Sequence, residues 1–210
     1  MQIEFLYKYR AIDARTLRIV ACNQLYFAPP DAFNDPFDCN IVPNMRASRE
    51  EMEQFIRTEM PGLSDQKYQE LAERNLNGLD DHLSKSLRTD LDSMRESLTL
   101  SCFSQVNNSS LMYSHYADAH RGLCLEFKII EHPFFDVLFP VQYPDQFPSL
   151  RFFEKDLQGM MNAQLLTKQP EWKYEKEYRI IKVGDPVNLQ TFPPEVLTGS
   201  YLVYEQAMPT

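Results

Sequence analysis

Glu175 and Glu177 stand two residues apart in EWKYEKEYRII (171–181), and Arg179 follows at the same spacing. On a β-strand, with its period of two, Glu175, Glu177 and Arg179 share one face while Tyr174, Lys176 and Tyr178 share the other. Neighbouring carboxylates repel, so partial burial raises the pKa of at least one of them. That is the setting in which a carboxyl group does acid–base or electrostatic work. Arg179 can neutralise one member of the pair. The plainer alternative is an exposed, charged strand start. Because the pair also lies beside Trp172, the single tryptophan, it is the strongest catalytic candidate in the chain.

Two further motifs carry polar and aromatic side chains. SCFS (101–104) precedes LMYSHYADAHRG (111–122). His115 and His120 are five residues apart, about 140° around a helix, so they cannot chelate one ion together. His115 and Asp118, at i and i+3, share a face and are expected to hydrogen-bond, fixing the imidazole tautomer. The histidine is then either structural or a ligand contact. Neither Ser101 nor Ser104 sits in a GxSxG nucleophile arrangement. Near the start, YKYR (7–10) places Tyr7 and Tyr9 on one side of a strand and Lys8 and Arg10 on the other. Arg10 at the strand end can fork onto a phosphate or carboxylate, the alternative being a surface ion pair on an edge strand. FNDPFD (33–38) is a tight turn through Asn34, Asp35 and Pro36. Phe33 and Phe37 are expected to bury on either side of it. Such a turn is either purely structural or a rigid ligand platform.

These groups need a scaffold, and the patterning predicts one mixed α/β domain, of α+β type. FLYKYR (5–10), QLYFA (24–28), LTLSCFS (98–104), LCLEFKI (123–129), VLFPVQY (137–143), YRIIKV (178–183) and SYLVYE (200–205) read as strands. They imply a largely antiparallel central sheet of about six strands. Pro140 makes its strand an edge or bulged one. Asp13 caps a helix over 13–22 with Leu17 and Val20 on its buried stripe. Residues 48–97 are predicted to be a helical insert or cap. Ser48 and Glu51 form a capping box ahead of Met52, Phe55, Ile56 and Met60. Pro61–Gly62 breaks that helix, a second carries Tyr68, Leu71 and Leu76, and a third carries Leu83, Leu87, Leu91, Met94 and Leu98. Ser109 caps the helix through SLMYSHYADAH, which Gly122 ends, and another helix covers about 149–167.

With 210 residues, of which 43% are hydrophobic and 12% aromatic, the chain can build a proper core without staples. The cysteines, Cys22, Cys39, Cys102 and Cys124, form no CxxC pair and no zinc spacing. Cys22, Cys102 and Cys124 lie in apolar segments and are expected to pack as free thiols. The start, MQIEFLYKYR, lacks an apolar leader stretch, and no run approaches the ~18 apolar residues of a membrane span. A reducing cytoplasm is therefore expected. The net charge of −9 disfavours general coating of nucleic acid. It is unevenly spread: 48–97 holds 12 acidic and 7 basic residues, a net of −5, whereas 149–182 holds 7 basic and 5 acidic, a net of +2. A phosphate-bearing small ligand remains compatible with that local balance.

FNDPFD, SCFS…LMYSHYADAHRGLCLEF and EWKYEKEYRII together resemble a large bacterial family known as a domain of unknown function, from about Leu6 to Val183. Tyr113 departs from it, standing where that family usually carries Trp. More distantly, the order strand-YR, Ser-bearing strand, strand-ExE is similar to the Arg–Ser–Glu layout of ADP-ribosyltransferases. That resemblance implies an NAD-using enzyme, such as a toxin or phage-defence effector, with NAD as substrate, no metal, and a protein or nucleic-acid acceptor. It assigns Arg10 to the NAD phosphates and ribose, Ser104 (or Ser101) to bracing the site, and Glu177 to the nicotinamide ribose. Glu175 would meet the acceptor. Tyr9, Asn34, Asp35, Tyr113, His115 and Tyr116 would line the nucleotide with Ser104, Tyr113 or Tyr116 stacking on nicotinamide. The usual Ser-x-Ser is absent, because here the serines bracket Cys102–Phe103. Two other readings stay open: a non-catalytic ligand- or protein-binding domain of the same fold, and a metal-dependent nuclease or hydrolase built on Asp35, Asp38, Glu175 and Glu177.

Overall fold

The computed structural model describes residues 3–41, 47–76, 89, 92–146, 157–184 and 188–202. The described elements in chain order are β1 (Phe5–Arg10), α1 (Ala14–Cys22), β2 (Gln24–Tyr26), α2 (Arg49–Glu59), α3 (Asp65–Leu76), β3 (Leu98–Ser104), α4 (Ser110–Tyr116), β4 (Leu123–Lys128), β5 (Leu138–Pro140), α5 (Leu157–Leu166), β6 (Glu177–Val183), β7 (Leu189–Thr191) and β8 (Leu197–Leu202). The chain divides into two compact units. One contains 1–36, 97–147 and 166–210, and the other 37–96 and 148–165.

The first unit is built on a six-stranded antiparallel sheet, as the alternating patterns predict, and its strands stand in the order β5-β6-β3-β1-β4-β8. Pro140, which has no N–H to give to a ladder, is indeed in the edge strand β5. A separate two-stranded sheet pairs β2 with β7. β1 lies between β3 and β4, so Arg10 ends a central strand and not an edge one.

Strand alternation sorts this sheet into an oily face and a polar-aromatic face. Leu6, Phe103, Leu125, Phe127 and Ile180 point to the first, where Ile19, Leu25, Phe27, Phe134 and Phe192 complete the core. Its rings meet edge to face, Phe103 on Phe127 at 5.2 Å and Phe134 on Phe135 at 5.1 Å. Each such buried side chain contributes roughly 1.5–3 kcal/mol. On the second face, Gly199, Glu126, Tyr7, Ser104 and Glu177 are successive register partners across β8, β4, β1, β3 and β6. The next residues along, Tyr9 and Cys124, are covered by Met112, Tyr113 and Ala117 of α4 and the turn after it.

Helix α1 starts where expected, with the Asp13 carboxylate accepting from the Thr16 N–H at 2.8 Å. Its buried residues are Thr16 and Ile19, however, while Leu17 and Val20 are 61% and 54% exposed. Thr16 can go inside because its hydroxyl donates to the Ala11 carbonyl at 2.6 Å, which leaves no unmet polar group there. That rotation also turns Cys22 outward. It is exposed, whereas Cys39 and Cys124 are buried, Cys102 is half-buried and all four are free. The FNDPFD turn corrects a second expectation. Phe37 is 57% exposed while Asp35 and Asp38 are buried.

In the second unit, α2 carries the Ser48–Glu51 capping box and buries Met52 and Ile56 against Tyr68 and Ala72 of α3. Met60 is exposed at the helix end. The Tyr68 hydroxyl donates to the Met60 carbonyl and accepts from the Leu63 N–H, both at 3.0 Å, which pins the Pro61–Gly62 break. Leu83, Leu87 and Leu91 lie outside the described residues, as do 149–156 of the helix expected near 149–167 and 203–205 of the last strand. Leu98 opens β3 and does not extend a helix.

Candidate functional site

Glu175 does not belong to β6. It ends a 3-10 turn, Pro170–Glu175, and Lys176 then adopts a left-handed conformation (φ 42°) before the strand begins at Glu177. The left-handed residue, not strand alternation, brings the two carboxylates together. Glu175, Glu177 and Arg179 are 2%, 4% and 0% exposed, which removes the reading of a solvated, charged strand start.

A fourth charge that the sequence did not advertise joins the cluster. Lys168 Nζ lies 2.6 Å from Glu175 Oε2 and 2.8 Å from Glu177 Oε2, and Arg179 Nε donates to Glu177 Oε1 at 2.8 Å. These bonds set each buried carboxylate against at least one buried cation, the pairing that buried charge requires. Around them, the Ser104 hydroxyl donates to the Glu175 carbonyl at 2.6 Å, and the Glu177 N–H donates to the Tyr143 hydroxyl at 2.9 Å. The Arg179 guanidinium stands 5.5 Å over the Phe33 ring, an anchoring role for one of the two turn phenylalanines.

The two carboxylates differ in their proton affinity. For Glu177, burial pushes the pKa up, but Arg179 and then Lys168 outweigh it and hold the group well below the ordinary carboxylate range. For Glu175, burial dominates, Lys168 offsets it only in part, and Glu177 adds to it, so its pKa is raised. Glu175 is therefore the proton-accepting member. Its Oε1 accepts a hydrogen bond from the Tyr116 hydroxyl, which in turn accepts from Asn34 Nδ2 at 3.4 Å. Asn34 is exposed and Tyr116 half-buried, so this hydroxyl connects the buried carboxylate to the surface.

Beside Tyr116 is an aromatic cluster. His115, Trp172 and Tyr174 have ring centroids 6.1 to 6.3 Å apart, with His115 stacked on Tyr174. His115 is exposed and the other two are half-buried. Lys168 Nζ lies 5.2 Å from the Trp172 ring, which ties the cluster to the ion network beneath it. The expected His115–Asp118 bond is not what the helix builds. α4 ends at Tyr116, and Asp118, with φ 48°, instead pairs with Arg121 at 2.8 Å.

The remaining expected site residues fall into two groups. Tyr9 and Tyr113 are buried against each other at 4.9 Å. The Tyr9 hydroxyl donates to the Val106 carbonyl and the Tyr113 hydroxyl to that of Tyr201, so both rings build the scaffold and neither is open for stacking. Asp35 is buried. Arg10 lies apart: Tyr7 is the register partner of Ser104, and three residues further along β1 the side chain points to the opposite sheet face. There it meets Thr16 and Asp13 at 3.4 Å. Arg10 and Glu177 are thus on different sides of one sheet. Among the described residues, no group of three or more His, Cys, Asp or Glu side chains is placed to hold a metal ion. No helix among them is long and apolar enough to cross a membrane.

One comparison with known proteins bears on this site. Residues 112–180 match the family described as a protein of unknown function (DUF2971). The matched segment runs from α4 to β6 and contains Lys168, Glu175, Glu177 and Arg179, together with Tyr116 and the aromatic cluster. Ser104 and Asn34 lie outside it. No curated protein and no solved structure matches the chain.

Proposed function

We propose that the protein binds a small ligand bearing a planar ring, of nucleotide type, on the His115–Trp172–Tyr174 cluster. Tyr116 and Glu175 supply the polar contact. The observation that carries this reading is a buried ion network with the Tyr116 hydroxyl leading from Glu175 toward the surface, beside the partly exposed His115, Trp172 and Tyr174 rings. Strongly perturbed, desolvated carboxylates concentrate at functional sites, and stacked aromatics hold flat ligands with little ordering cost. Glu177, locked between Arg179 and Lys168, is the counter-ion that holds the network. Glu175 is the group that faces the ligand, through Tyr116.

A second reading makes the protein an NAD-using, ADP-ribosyltransferase-like enzyme, in the role of a toxin or phage-defence effector acting on a protein or nucleic acid. One observation favours it. Ser104 and Glu177 are direct register partners on one sheet face, with Tyr116 and Asn34 bonded together nearby. In that chemistry the bond from nicotinamide to ribose breaks, nicotinamide leaves with the electron pair, and an acceptor nucleophile takes the ribose carbon. The placement of Arg10 counts against the layout as the sequence suggests it.

Trp172, the only tryptophan, reports on the cluster directly. Titration with NAD is expected to quench its fluorescence saturably, and His115→Ala with Tyr174→Ala is expected to weaken the titration. Nicotinamide release that disappears in Glu175→Gln would favour the transferase. Binding without release would favour the binding domain, and no response to NAD or to AMP at millimolar concentration would overturn both.

A further inference from the structure

Beyond Ser104, the row of register partners on the polar-aromatic face runs away from the ion network, through Tyr7 and Glu126 to Gly199 on the edge strand β8. Glu126 is half-buried there, and a hydroxyl holds each of its carboxylate oxygens. Thr198 Oγ1 donates to Oε1 at 2.8 Å, and the Tyr201 hydroxyl donates to Oε2 at 2.5 Å. Thr198 reaches the carboxylate because β8 is bulged. Glu126 pairs with Gly199 and Phe127 with Leu197, so Thr198 is the extra residue between them, and a bulge re-aims the side chain it carries.

This carboxylate is fixed in place but has no counter-ion. Among the described residues no lysine, arginine or histidine pairs with it, although Lys128 follows two residues on along the same side of β4. Glu177, at the other end of the row, has both Lys168 and Arg179. The uncompensated charge is felt by both neighbouring phenols. Burial, and next the Glu126 charge, raise the Tyr7 pKa, and the bond to Glu126 is the main cause that pushes Tyr201 up to about 12. The two rings, each half-buried, meet with centroids 6.5 Å apart and planes at 60°, an open corner and not a stack. Gly199 leaves the flank of Glu126 bare. A Cβ there would lie 3.5 Å from Glu126 Oε1 and 3.9 Å from its Cδ, so a longer side chain would cover the carboxylate.

A ring face and an unpaired anion attract the same kind of group, a cation that gives up its water easily. A primary ammonium needs three acceptors. A methylated one needs ring contact and one counter-charge, which this corner supplies. We infer that the Tyr7–Glu126–Tyr201 corner binds a methylated ammonium group, with Glu126 as its counter-ion and the two rings in contact with its methyl groups. The site shares no residue with the ring-binding cluster above and stands independently of that reading.

The test is calorimetric titration with choline, tetramethylammonium, methylammonium and the uncharged choline isostere 3,3-dimethylbutan-1-ol. Saturable choline binding, roughly tenfold or more tighter than that of the isostere, is expected, and this comparison needs no variant. Glu126→Gln is expected to weaken choline binding roughly tenfold, as is Gly199→Val, which fills the bare flank. Tyr7→Leu is expected to weaken it at least about threefold. Glu131→Gln, at an exposed carboxylate elsewhere, is expected to leave it unchanged. Circular dichroism checks that the variants fold. Cosedimentation with phosphatidylcholine vesicles, lost in Glu126→Gln, would identify a lipid head group as the source. Choline binding without cosedimentation would identify a free small molecule. No saturable binding of choline or tetramethylammonium at about 10 mM would overturn the inference. So would equal affinity for the isostere, tighter binding of methylammonium than of tetramethylammonium, or wild-type affinity in Glu126→Gln.

Discussion

Glu177 is where burial and charge meet most sharply. With both neighbours in place its charge is compensated, but removal of the carboxylate takes a counter-charge from Arg179, which is fully buried, and from Lys168. Breaking one side of a buried pair typically costs about 3–5 kcal/mol, far more than an exposed pair is worth. Glu177→Gln is expected to fall in that range in urea denaturation. Glu177→Gln combined with Arg179→Met is expected to recover part of the loss, since the orphaned cation goes with it. If the single variant loses less than about 1 kcal/mol, the network is solvated and not the buried cluster described above. At this scale the sequence was half legible. The ExExR spacing drew attention to Glu175, Glu177 and Arg179, yet a strand pattern cannot announce a left-handed Lys176. Nor could anything near Lys168 mark it as a buried cation, because its partners are seven and nine residues away along the chain. Phe37 was misjudged for a related reason: hydrophobicity ranks which residue prefers burial, yet here the turn buries Asp35 and Asp38 and leaves Phe37 outside.

Between α4 and β4 the chain makes a tight reversal that no periodicity reveals. Asp118, Ala119 and His120 are all left-handed, with φ of 48°, 49° and 68°, and Gly122 follows. A Cβ on Gly122 would lie 2.1 Å from the Arg10 carbonyl oxygen and 3.0 Å from Ala117 backbone atoms, all of them rigid. The glycine is there for close approach, which the sequence reading took only as a helix stop. Gly122→Ala is expected to lose at least about 2–3 kcal/mol, because backbone must move. Ala119→Gly works in the opposite direction. A left-handed L-residue costs about 1–2 kcal/mol, and glycine gives back about 0.5–1 through its freer unfolded chain, so a gain of up to about 1 kcal/mol is expected in thermal melts. By contrast, the strands themselves were readable. In β4, Leu123, Leu125 and Phe127 alternate with Cys124, Glu126 and Lys128 and face the core, but in β1 Lys8 and Arg10 share the core-facing side of Leu6, so the face was legible only where polar residues keep to one side. What alternation lacks is strand order, and strand order is what puts Glu126, Tyr7, Ser104 and Glu177 in one row and leaves Arg10 behind it.

For the whole molecule, these placements translate into a dependence of stability on acid. The unfolded chain takes up a proton on Glu177 in the ordinary carboxylate range, about pH 4.3, while the folded protein takes one up only at much lower pH. Between those values the unfolded state binds more protons, so stability contributed by Glu177 is complete above the unfolded value and drains away as pH falls through the folded one. Glu175 acts with the reverse sign. Its folded pKa is raised, so between the ordinary value and that raised value the folded protein binds more protons, and stability falls as pH climbs through that window. The two carboxylates touch the same lysine yet pull the pH profile in opposite directions, which makes them separable in one experiment. Urea midpoints measured from pH 3 to 8 are expected to show the wild-type acid limb flattened in Glu177→Gln. In Glu175→Gln the loss just above the ordinary carboxylate range is expected to disappear instead. Loss of the same limb in both variants would mean that the network titrates as a single unit. Glu175 would then have no proton affinity of its own to offer a ligand through Tyr116.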